Sequence, residues 1–139
     1  MFVPLIPEYE ARADEFVAKF KARTKKASDD LAEKGIKSVF FFSPLLQLKK
    51  PLSEMEQNLL FKNEMTIPGV YSYVLRCSNG ISESEDPLIF MQTSVFDGHT
   101  ETMFYDSVHF TPAASRIAGN DMANRLIPLL KKYFDQQKD

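Results

Sequence analysis

The run Ile36-Lys37-Ser38-Val39-Phe40-Phe41-Phe42, halted by Ser43-Pro44, narrows the choice of fold more than any other stretch of the chain. Its residues are β-branched and aromatic, they show no 3.6-residue period, and only Lys37 and Ser38 interrupt the apolar character. That profile is a short strand buried in a parallel sheet. The longest strongly apolar run, Val39 to Leu46, falls far short of the ~20 residues that cross a bilayer and contains Pro44, so no membrane span is expected.

Helical patterns surround this strand. From about Glu8 to Lys34, Phe16, Phe20, Ala27 and Leu31 recur at helical steps, with Val17 widening the stripe. Lys19, Lys21, Arg23, Lys25 and Lys26 read as its solvated face, and Gly35 ends it by taking a left-handed conformation. Ser53 and Glu56 form an SxxE capping box, predicting a second helix from Glu54 to Lys62 or Asn63, broken at Ile67-Pro68-Gly69. Val70 to Arg76 fits either a helix or a strand. Residues 78–87 read as a polar connector, and Leu88 to Met91 as a second buried strand. Thr111 as N-cap and Pro112 open the last helix, whose apolar face comprises Ile117, Ala118, Met122, Ala123, Leu126, Leu130 and Phe134, with a bend expected at Pro128.

With 139 residues, 44% of them hydrophobic, the chain has material for one core, so residues 1–139 form one domain. The charge balance, 17 − 19 = −2, has no long block of either sign, which removes the electrostatic case for nucleic acid or a polybasic membrane tether. Cys77 stands alone, so neither an internal disulfide nor a cysteine zinc site can form. The opening Met1-Phe2-Val3-Pro4 lacks a basic n-region and is no signal peptide; taken literally the sequence is cytoplasmic, with secretion the alternative if an N-terminal part is missing.

Between the second strand and the last helix lies Asp106-Ser107-Val108-His109-Phe110-Thr111-Pro112. A three-residue offset in a turn lets the Asp106 carboxylate hold one imidazole nitrogen of His109, leaving the other to accept and return a proton. The alternative assigns both residues to turn and capping work. A second constellation, Asp97, His99, Glu101, Asp106 and His109, has N and O donors suited to zinc or manganese, but a polar loop at the rim of the site is the favoured reading and no metal is expected. Cys77 reads as a small core residue rather than a nucleophile.

The order of buried strand, polar loop, DxxHFTP and helix resembles the last conserved block of the SGNH (GDSL-type) hydrolases. The Phe41-Phe42-Ser43-Pro44 strand end and the Lys50-Pro51-Leu52-Ser53 helix start are similar to the second half of such a domain. The resemblance implies an α/β chain, the C-terminal half of a flavodoxin-like three-layer α/β/α fold, with His109 as general base and Asp106 orienting it. It implies hydrolysis of an acyl or carbohydrate ester, with no cofactor. The family's GDS, glycine and GxND blocks are absent, and Ser43, Ser94 and Ser107 lack the nucleophile's context. A fragment or truncated homologue is therefore expected, and a noncatalytic binding or interaction protein built on the remnant fold is the alternative. One edge of the strand 36–42 should then be unpaired and open to self-association.

Overall fold

A computed structural model describes residues 7–136 of the chain; residues 1–6, the opening stretch that lacks the basic n-region of a signal peptide, lie outside that range. Helix α1 spans Pro7–Ala32. Its lysines meet acids one turn away, Lys19 with Glu15, Lys25 with Asp29 and Lys26 with Asp30, as a solvated face does. Gly35 ends the helix region at φ 72°, the left-handed conformation its lack of a Cβ permits.

The buried line of α1 is displaced from the expected stripe. Ala13 and Thr24 are buried, whereas Phe16 is exposed and stacks along Phe20. The reason is the partner: α1 packs on α3 (Val70–Gly80), and small residues let the two helices approach. A Cβ on Gly80 would lie 2.7 Å from a Val17 methyl. Arg76 closes the same seam by donating to Glu10 and Asp14.

Residues 70–76, compatible with either element, are helical, and α3 continues to Gly80 into the stretch read as connector. Glu64 of α2 (Glu54–Thr66) decides this by accepting the Gly69 and Tyr71 N–H groups, which sit at the start of α3 with no partner inside that helix. The capping box at Ser53 and Glu56 forms as predicted, and α2 runs to Thr66, beyond the expected end at Lys62 or Asn63.

Strand β1 is shorter than expected, Phe40–Phe42, because its partner offers only a four-residue edge. Ile36 is half exposed. The partner, Leu88–Met91, forms where the sequence places it and pairs in parallel, with Phe40 opposite Ile89 and Phe42 opposite Met91. Between them in sequence, Ser84–Glu85 forms β2, so the segment 78–87 is not merely a connector. With Leu88–Met91 taken as β3, the sheet order is β1-β3-β2, and β2 is antiparallel. Two polar residues are too few to show strand alternation. Among the described residues the fold is thus mixed α/β: four helices and a small mixed three-stranded sheet.

Alternation along the strands sets the packing. Phe42 meets Phe20 of α1 edge-on, while Phe41 and Phe90 pair on the opposite side, where Arg125 of α4 (Pro112–Asp135) lies over the Phe90 ring. Thr111 caps α4 by accepting the Ala114 N–H, and the helix runs through Pro128. Its apolar face is only partly covered: Ala114 and Ala118 are buried, but Leu130 and Phe134 are exposed. The main core lies under the connections that follow β1 and β3, where Leu46, Leu60, Phe96, Met103, Phe104, Ala114 and Ala118 cluster.

Candidate active site

Beyond β3 the chain leaves the sheet and returns only at α4. Gln92 holds both ends of this excursion. Its N–H donates to Phe42 O, and its buried amide donates to Ala118 O and Asp121. Phe104 and Phe110 then form an antiparallel bridge, flanked by Tyr105 N–H to His109 O at 2.9 Å and Thr111 N–H to Met103 O at 2.8 Å. The rings of Phe96, Phe104 and Phe110 meet edge to face, with centroids 5.3 to 5.6 Å apart. Residues 105–109 are therefore a small hairpin tip standing on a packed aromatic base.

Asp106 and His109 occupy that tip. One Asp106 oxygen, Oδ1, accepts the Val108 and His109 N–H groups, each at 2.9 Å, which bends the chain back on itself. The other, Oδ2, lies 2.7 Å from His109 Nδ1. The Val108 N–H is the largest influence on the carboxyl, followed by the His109 ring and the His109 N–H, and together they hold its pKa at about 2. An ionised carboxylate only accepts, so Nδ1 carries the hydrogen and Nε2 is left as the basic nitrogen. The His109 side chain is 75% exposed, which leaves that nitrogen open to an incoming group.

The wider constellation does not assemble. His99 Nδ1 lies 3.3 Å from Glu101, and Asp97 accepts the Lys50 N–H. Among the described residues no three His, Cys, Asp or Glu side chains gather as a metal site. Cys77 is buried in α3, and burial pushes its thiol pKa up, the wrong direction for a nucleophile. Ser43 and Ser94 are exposed, and Ser107 accepts a hydrogen bond from Asn63 at 2.8 Å, tying the tip to α2.

Sequence reasoning missed the residues under the tip. Lys49 and Glu56 form an ion pair at 2.8 Å with both side chains essentially inaccessible. Burial pushes the Glu56 carboxyl up, but the Lys49 ammonium and the N–H groups of Ser53 and Met103 outweigh it and hold the pKa below its usual value. The SxxE spacing announced only the cap; no local pattern announces partners 47 and 48 residues away. No family model, curated protein or solved structure matches the chain. Among the described residues, no helix is long and apolar enough to cross a membrane.

Proposed function

We propose that this chain supplies the acid–base half of an ester hydrolase of SGNH (GDSL) type, acting on an acyl or carbohydrate ester. The observation that carries the reading is the 2.7 Å contact between Asp106 Oδ2 and His109 Nδ1 within DxxHFTP. In such chemistry the free Nε2 takes a proton from an attacking hydroxyl and returns it to the leaving alkoxide, while the carboxylate stabilises the imidazolium between the two transfers. On this reading the mixed α/β fold is the C-terminal half of a flavodoxin-like three-layer domain. The attacking serine and the oxyanion donors come from outside this sequence, for none of its serines stands in a GDS context.

A noncatalytic interaction protein is the second reading, and it is favoured by the position of β1 at the sheet edge. Fluorophosphonate labelling and p-nitrophenyl acetate turnover separate the possibilities. The chain alone should take no label and hydrolyse no faster than free imidazole, whereas a version extended upstream through a GDS block should do both and lose turnover in His109→Ala. Saturable, His109-dependent turnover by the chain alone would mean that a water or an unassigned serine attacks. An extended version without activity would favour the interaction protein.

A further inference from the structure

Burying two charges costs desolvation that an apolar pair of the same size avoids, and such a pair is held only where further hydrogen bonds occupy its remaining donors and acceptors. Lys49 is 2% exposed and Glu56 is fully buried. Every polar atom of the pair is occupied. Lys49 Nζ donates to Pro51 O, Glu56 Oε2 and His99 O at 2.7 to 2.9 Å. Glu56 Oε2 also accepts the Ser53 N–H, while Oε1 accepts the N–H groups of Met103 at 2.7 Å and Phe104 at 3.2 Å.

The carboxylate therefore joins the first turn of α2 to the two residues that enter the dyad hairpin. Phe104 pairs with Phe110, and Met103 O accepts the Thr111 N–H, so the strand held by Glu56 is the one on which the returning strand closes. That closure places Asp106 and His109 at one tip. Lys49 adds a second hold through His99 O, earlier on the same excursion.

We propose that Glu56, neutralised by Lys49, is a positioning residue for the Asp106–His109 dyad, clamping the entry strand of the hairpin so that the carboxylate holds the imidazole in its Nδ1–H tautomer. The inference rests on Asp106 and His109 being an acid–base pair. Four donors, the Lys49 ammonium and the Ser53, Met103 and Phe104 N–H groups, now meet two carboxylate oxygens, whereas glutamine at position 56 offers a single acceptor oxygen and so cannot serve the helix cap and the hairpin together.

Imidazole nitrogen NMR in alkaline solution, where histidines are neutral, reads the tautomer of His109 directly. The wild-type chain should show Nδ1–H dominant. Asp106→Asn should shift it toward the mixture of a free imidazole. Glu56→Gln should do the same while α1 and α3 amides keep their protection, and exchange of the Tyr105 and Thr111 amides should quicken about tenfold or more. If Glu56→Gln does not unfold cooperatively, Lys49→Met/Glu56→Gln, which leaves no lone buried charge, is expected to give the same shift.

Three results are decisive. An unchanged tautomer in Asp106→Asn overturns the acid–base reading and the inference with it. A shift in Asp106→Asn but none in a folded Glu56 variant overturns the clamp alone. In the wild-type chain, Met103 and Phe104 amides that exchange as fast as exposed loops overturn the clamp even if neither Glu56 variant folds.

Discussion

Asp106 faces donors on both oxygens, and its acid titration follows from that. Its folded pKa, about 2, lies below the ~3.9 of an unperturbed aspartate. The sign follows from linkage: the contribution of this group to stability is complete above the unfolded value and is lost as pH falls from ~4 toward 2. Carbon-13 titration of the carboxyl should therefore place Asp106 near 2 in the intact chain. His109→Ala should raise it only partway, since the leading cause is the Val108 N–H and not the imidazole. An ordinary aspartate titration in the intact chain would contradict the turn geometry. The dyad was legible in the sequence because all its bonds close within three residues. The bonds of Asn63 to Ser107 and of Lys49 to His99 O were not, because they join residues 44 and 50 positions apart.

Between elements, the seam of α1 and α3 sets the tightest tolerance. Gly80 has no room for a methyl group, with the two Val17 Cγ atoms at 2.7 and 3.0 Å from the position of its Cβ. The β-branched Val17 has little rotamer freedom with which to yield. Gly80→Ala should therefore destabilise by about 1–3 kcal/mol through overpacking, offset by at most ~1 kcal/mol of helix propensity. Urea unfolding should show a lower midpoint at unchanged slope, and Val17→Ala in the same chain should restore most of the loss. A Gly80→Ala chain as stable as the parent would mean that the helices separate freely. The same seam explains why Phe16 lies outside the contact that its spacing suggested: close approach selects the small side chains, Ala13 and Gly80, for the interface.

At the scale of the molecule, β1 ends the sheet order β1-β3-β2, so the far edge of Phe40–Phe42 has no strand partner among the described residues. Lysine, proline or a bulge usually guards such an edge, and the tripeptide contains none of them. Phe61, Met65 and Phe134 are each more than half exposed. We therefore expect the isolated chain to associate through the β1 edge and to unfold below ~50 °C, the lower part of the mesophilic range. Light scattering coupled to size exclusion at several concentrations measures this, and a sharp monomer unfolding cooperatively above that temperature would contradict it. Phe41→Lys separates the causes. Weaker association with helices retained points to the edge, whereas global unfolding points to the loss of the Phe41–Phe90 contact, whose centroids are 5.5 Å apart.

The sequence by itself determined the elements whose signals are local: the caps at Ser53 and Thr111, the stop at Gly35, the strand Leu88–Met91 and the Asp106–His109 turn. The caps, the stop and the turn depend on hydrogen bonds or backbone angles confined to a few neighbouring residues, and the strand announces itself by its own apolar run, so composition and spacing suffice. Only the tertiary structure decided whether Val70–Arg76 was helix or strand, where β1 began, that Ser84–Glu85 formed a strand, and that Glu56 reached Met103. Those outcomes depend on partners brought from afar. A side chain satisfies a distant N–H, or a strand finds an edge, only after the intervening chain has folded to place the two within a few ångströms.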